Sequence, residues 1–215
     1  HGVMNTDNST ISGETIDYGP CAFMNSYDLN TVYSSIDLQG RYSYGNQPNI
    51  IHWNILRLAE SLIGLVDDDE KKAISKIEKK ISDISSQISS KWLKMMLKKI
   101  GIENAEPEDE KKVHDLLKWM KDNKADFNNT FCYLMKQPHI NDKIFETESF
   151  KFWKNNWTLR VKKEKNYLDV MKRANPIFIP RNHLVENALD EAVKGKIGKF
   201  NSLIEVIGNP YSFQS

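Results

Sequence analysis

NIIHWNILRLAESLIGLV, residues 49–66, decides the fold class. Within it Ile51, Ile55, Leu58, Leu62 and Leu65 recur at steps of three or four residues, which sets them on one face of an α-helix. A buried helix is expected here. The rhythm continues downstream, where Ile74, Ile77, Ile81, Ile84 and Ile88 step alternately by three and four through a Lys, Glu and Ser background. That stripe is heptad-like but short, so it predicts one long amphipathic helix packed on its own domain rather than an intermolecular coiled coil. The Lys/Glu/Ser-rich piece from 68 to 91 is then the solvated face of that helix.

Gly101 suits a helix C-cap. The acidic turn Glu106-Pro107-Glu108-Asp109 opens another helix, with Val113, Leu116, Leu117 and Met120 as its inner face. Asp126 can cap a short helix carrying Phe127, Phe131 and Leu134. Further helices are expected over 147–156, 158–173, 182–194 and 199–207, punctuated by Pro176, Pro180 and Pro210.

Upstream of residue 49 the composition changes. Residues 1–48 are rich in Gly, Asn, Asp, Ser and Tyr, with only short apolar stretches such as Cys21-Ala22-Phe23-Met24, which suits short strands and loops. The expected architecture is mainly α, α+β overall. Residues 1–48 form its irregular part, with a short strand and β-hairpin within 1–24, and residues 49–215 form the helical remainder of the same domain.

Thirty basic and twenty-nine acidic side chains nearly cancel, so neither nucleic acid nor an anionic membrane is an expected partner. No apolar run approaches the roughly 18 residues that cross a bilayer. The two cysteines, Cys21 and Cys132, lack metal-ligand spacing and point to free thiols in a reducing compartment. A cytoplasmic location is expected, or a mitochondrial one if the source is eukaryotic. His52, His114, His139 and His183 are scattered, with no pair spaced to put two zinc ligands on one helix face. The tryptophans fall mostly on helical apolar faces, where they read as core.

Chemistry concentrates in HGVMNTDNSTISGETIDYGP, residues 1–20, where Asp7, Asn8 and Asp17 bring oxygen side chains of the kind Mg²⁺ prefers. Asp and Asn also serve simply as turn residues, so spacing must separate the two readings. A protein kinase catalytic loop reads His-Arg-Asp, four residues, then a metal-binding Asn, with a later Asp-Phe-Gly supplying a second metal ligand. His1 and Asn8 keep that spacing, and Asp17-Tyr18-Gly19 stands where Asp-Phe-Gly would. Val3 occupies the position of the catalytic Asp and can accept no proton. Either ordinary phosphate transfer is excluded or the base has moved to Asp7.

The string HGVMNTDN followed by TIDYGP resembles the signature of the SelO family, the selenoprotein-O pseudokinases, also called YdiU. WNILRLAESL at 53–62, KADFNNTFCYL at 124–134, NPIFIPRNHLVENAL at 175–189 and NPY at 209–211 resemble segments of the family in the same order. The resemblance implies a protein-kinase-like large lobe, and transfer of AMP rather than phosphate from ATP to Ser, Thr or Tyr hydroxyls of proteins, with ATP bound in a flipped orientation. Carried over by position, it implies Asp7 as the general base, Asn8 and Asp17 as ligands of Mg²⁺ or Mn²⁺, and Asp17 against the nucleotide. His1 and Asn5 become either positioning residues or purely structural ones.

Family members also carry, before this motif, a smaller lobe with the glycine-rich loop and the phosphate-contacting Lys and Arg residues. That lobe is missing ahead of His1, so the resemblance implies a fragment, inactive alone. A catalytically silent helical binding module is the alternative reading. One local departure is Cys132, which stands where the family usually has Arg. Arg181 reads as a structural residue.

Overall fold

The computed structural model describes residues 3–14, 22–137, 140 and 143–212. The chain is mainly helical and divides into two compact units, the first of residues 1–21 and 29–92, the second of 22–28 and 93–215. The described residues form ten α-helices: α1 Gln47–Ser61, α2 Ile63–Val66, α3 Glu70–Ile81, α4 Ile84–Lys99, α5 Asp109–Asp122, α6 Phe127–Leu134, α7 Glu148–Val161, α8 Tyr167–Ala174, α9 Asn182–Val193 and α10 Gly198–Ile207. The division falls inside α4, between Trp92 and Leu93.

In the first unit, the loop 29–46 returns on itself through Tyr44 N–H to Thr31 O at 2.9 Å and Gly45 N–H to Leu29 O at 2.8 Å. A Cβ on Gly45 would lie 3.0 Å from the Leu29 side chain and 3.1 Å from Leu29 O, so a larger residue would press the two segments apart by a few tenths of an ångström. The loop leads into α1, which carries Pro48 in its first turn, where a missing N–H has no cost. Two expectations fail in this unit. The face of Ile51, Leu58, Leu62 and Leu65 is not buried, Leu65 being 84% exposed; among the α1 residues only Ile50 and Asn54 are buried.

The isoleucine stripe also does not form one helix. Its break lies at Ser82-Asp83, where the Ser82 hydroxyl donates to Lys79 O at 3.1 Å and the Ser86 hydroxyl to Asp83 O at 2.8 Å. Hydroxyls that bond back to the backbone compete with the helical ladder. Asp69 then starts α3 by accepting the amides of Lys71 and Lys72 at 2.9 and 3.2 Å.

The second unit has a dense aromatic core. Trp119 and Phe150 have ring centres 4.5 Å apart, Tyr133 and Phe145 4.0 Å, and Trp153 and Trp157 5.9 Å. Each buried indole finds an acceptor: Thr147 Oγ1 for Trp119, Lys112 O for Trp153 and Ile100 O for Trp157. The expected inner face of α5 is buried, with Trp119 added to it.

Gly101, at φ +80°, closes α4 as expected. A Cβ there would meet Tyr167 O at 3.0 Å, so both the backbone conformation and the close neighbour favour glycine. Asp126 caps α6 as expected, accepting Asn129 N–H at 2.7 Å. The boundary expected at residue 157 is wrong. Trp157 lies inside α7, held by its core bond to Ile100 O, and the helix runs on to Val161 before α8 begins at Tyr167.

Among the described residues β structure is limited to an isolated antiparallel bridge between Ser26 and Asp126. Residues 3–14 hold a 3-10 turn at Thr6–Asn8 and no strand. The rest of the expected hairpin, residues 15–21, lies outside the described residues.

Candidate active site

The Thr6–Asn8 turn puts Asp7 and Asn8 side by side and exposed to solvent. Its entrance is anchored by Val3, 9% exposed. The turn closes on itself through Asn8 N–H to Asn5 O at 3.1 Å and Ser9 N–H to Thr6 O at 3.3 Å. The Asn8 side chain donates its Nδ2 to Val3 O at 3.1 Å, and its carboxamide oxygen accepts no hydrogen bond among the described residues. The position that carries an acid in a kinase loop therefore serves here as a buried foot, and the loop's exposed carboxylate is that of Asp7.

Two clamps from the same unit hold the turn. From α1, Asn54 donates Nδ2 to Met4 O at 3.0 Å and to Ser9 Oγ at 2.9 Å, on either side of the turn in sequence. The Ser9 hydroxyl donates in its turn to Asn5 O at 3.1 Å. From loop 29–46, the Tyr42 hydroxyl donates to Asn5 Oδ1. Asn5 thus joins loop 29–46 to the turn.

Tyr42 is fixed by Asp37, whose two carboxylate oxygens accept the amides of Arg41 and Tyr42, each at 2.8 Å. Asn54, Ser9 and Tyr42 were not found by sequence reasoning. A signal for Asn54 existed, because it is a polar residue set among the apolar positions of α1, and a buried carboxamide needs partners. Its Oδ1 is buried without one.

Asp17, His1 and Gly2 lie outside the described residues. Among the described residues no three His, Cys, Asp or Glu side chains gather to hold a metal ion. Of the two residues expected to bind a metal, Asn8 alone is described, and its carboxamide oxygen is of the kind a hard cation takes.

These features, an exposed carboxylate next to a carboxamide on a turn clamped from two sides, coincide with a match to the family model described as protein adenylyltransferase SelO, over residues 1–208. The chain belongs to the SelO family. It is 46% identical to the protein nucleotidyltransferase YdiU of Pelagibacter ubique (strain HTCC1062) over 215 residues, covering 98% of this chain and 44% of that protein. The YdiU protein of Bacillus thuringiensis subsp. konkukian (strain 97-27) is 47% identical over 220 residues, covering 100% and 45%. That of Bacillus cereus (strain AH820) is 48% identical, covering 99% and 45%. The chain thus spans less than half the length of these relatives.

Other residues of the SelO resemblance fall in the second unit and have structural surroundings. Arg181 bonds Asp126 at 2.6 and 3.1 Å, Asn25 Oδ1 at 2.6 Å and Asn129 Oδ1 at 3.2 Å. It ties the cap of α6 to the start of α9. Cys132, in the family's Arg position, is fully buried, its thiol donating to Pro176 O at 3.7 Å. Burial raises that thiol to about 11, against which Arg181 and Lys99 act only partly. No helix among the described residues is long and apolar enough to cross a membrane.

Proposed function

We propose that this chain contributes the catalytic and metal-binding turn of a protein adenylyltransferase, which transfers AMP from ATP to Ser, Thr or Tyr hydroxyls of proteins. The observation that carries the reading is the clamped Thr6–Asn8 turn in a chain of the SelO family. The large lobe is kinase-like, and the nucleotide-contacting small lobe belongs to the part of the family protein that these residues do not span.

In this reading Asp7 takes the proton of the acceptor hydroxyl as its oxygen attacks the α-phosphorus, and pyrophosphate leaves. General-base assistance of this kind contributes roughly 10² to 10⁴-fold. The exposure of Asp7 suits it to meet a protein substrate, and the clamps through Asn54 and Tyr42 keep its backbone from moving during transfer. Asn8, with its nitrogen turned to Val3, would hold Mg²⁺ or Mn²⁺ through its oxygen, and Asp17 would supply the charged ligand and the contact to the nucleotide. The bound cation would neutralise charge on the phosphates. Asn8 is neutral, so most of the charge opposing that cation comes from Asp17 and the nucleotide.

The test is the origin of the transferred label. The protein that carries these residues, given ATP labelled at the α or at the γ position with Mg²⁺ or Mn²⁺, should pass only α-label to acceptor protein. Label from the γ position alone would refute the proposal.

A further inference from the structure

We propose that Arg41, laid over Trp53 beside the Thr6–Asn8 turn, binds an anionic group of the protein substrate and so favours hydroxyls with an acidic side chain nearby. The inference rests on the adenylyltransferase reading for its purpose, though not for its geometry. The guanidinium of Arg41 lies 4.9 Å from the Trp53 ring centre and 5.7 Å from that of Tyr42, and the guanidinium of Arg57 lies 5.3 Å from Trp53. Trp53 is 39% exposed, unlike the buried indoles of the aromatic core.

The two cations differ in what neutralises them. Arg57 is paired with Glu60 at 2.5 Å, whereas Arg41 has no carboxylate within ion-pair distance among the described residues. Asp37 is nearby in sequence but spends both oxygens on the backbone amides of Arg41 and Tyr42. The Arg41 carbonyl is fixed as well, accepting from Asn46 Nδ2 at 2.6 Å. An exposed guanidinium with a held backbone and a stacking surface is preorganised for carboxylate or phosphate, because less freedom is lost when its planar fork engages.

Position in the fold gives the site its meaning. Tyr42, which clamps Asn5, directly follows Arg41, and Asn54, which clamps Met4 and Ser9, directly follows Trp53. The Arg41–Trp53 pair is therefore built from the residues adjoining both clamps of the turn. The anion bound there comes from the acceptor protein, since a surface ledge of this kind suits a side chain arriving from solvent. The nucleotide's phosphates are the competing source, and the experiment separates them.

Two pools of short peptides, each with a central Ser, Thr or Tyr, carry either Glu or Gln at the flanking positions. Binding is read by fluorescence anisotropy and transfer by α-label, for the wild-type protein, Arg41→Ala and Arg41→Lys. The wild type should favour the Glu pool by roughly tenfold in both readouts, the size of one charge-assisted hydrogen bond. Arg41→Ala should bring the ratio to about one, and Arg41→Lys should fall between.

A wild type that does not discriminate, or an Arg41→Ala protein that keeps the ratio, overturns the proposal. So does a rise of several-fold in the KM for ATP with the peptide ratio intact, which would assign the anion to the nucleotide. If neither pool accepts label while anisotropy shows the Glu preference and its loss in Arg41→Ala, the transferase reading fails and the Arg41 site stands.

Discussion

A single nitrogen of Asn54 bridges Met4 O and Ser9 Oγ, at 3.0 and 2.9 Å, and so fastens both ends of the turn carrying Asp7 to one position on α1. Asn54→Ala removes both bonds and leaves the Met4 carbonyl without that donor. Stability should fall by about 1 kcal/mol, the net worth of partly buried hydrogen bonds. AMP transfer should fall by up to roughly 100-fold, as expected when a reacting group is displaced. Urea unfolding and α-label transfer at saturating ATP measure the two effects, and a wild-type transfer rate in the variant would deny Asn54 its positioning role.

The second unit contains a buried ion pair whose loss should be felt globally. Arg160 donates Nε to both oxygens of Asp109 at 3.0 Å, and its other nitrogens reach Glu164 Oε1 and Asn104 O. Burial pushes the Asp109 carboxyl up, but the Glu106 amide, Arg160 and Lys112 together hold it below the ordinary carboxylate value. Asp109→Ala leaves Arg160 buried without its main partner and should cost about 3–5 kcal/mol. Because the folded pKa is depressed, the contribution is present above the unfolded pKa and is lost as pH falls below it. The gap between wild type and Asp109→Ala in urea unfolding should therefore shrink on acidification below about pH 4. A gap that stays constant with pH would contradict the assignment.

Lys99 gives the opposite kind of pH dependence. Burial lowers its ammonium to about 8, with Cys132 opposing only in part. Its Nζ also bonds Ala174 O at 3.1 Å and Asn175 Oδ1 at 3.3 Å, over the Phe131 ring at 5.1 Å. A lysine with a depressed folded pKa is protonated in the unfolded chain where it is neutral in the fold, so stability rises with pH between the two values. Relative to Lys99→Met, the wild type should gain on the order of 1 kcal/mol or more between pH 8 and 10. Parallel pH profiles for the two proteins would show that Lys99 remains charged.

Metal binding should depend on Asp17 more than on Asn8, since a carboxylate brings a full charge to the ion and a carboxamide only a dipole. Calorimetric titration of Mg²⁺-ATP into Asp17→Ala and Asn8→Ala variants of the protein that carries these residues measures this. Equal affinities for both variants and the wild type would remove both side chains from the metal.

Much of the second unit was legible in sequence because each signal there is local. Asp126 caps α6 directly after it, Gly101 lies two residues past the last residue of α4, and Val113, Leu116, Leu117 and Met120 keep the apolar period of α5. The errors come from long-range packing. Trp157 stays helical because its indole reaches Ile100 O, fifty-seven residues away in sequence, and no local pattern reports that. The isoleucine stripe kept its period across Ser82-Asp83 while serine hydroxyls redirected the backbone. For the candidate site, the motif spacing singled out Asp7 and Asn8, yet the clamps from Asn54 and Tyr42 join segments that have no sequence relation to the turn.

The central claim is that Asp7 acts as the base in AMP transfer, and its most direct test is the rate of α-label transfer by Asp7→Ala against its affinity for ATP. A base acts in the transition state and not in ground-state binding, so the rate should fall by roughly two to four powers of ten while nucleotide affinity stays within about twofold. Undiminished α-label transfer by Asp7→Ala would contradict the account.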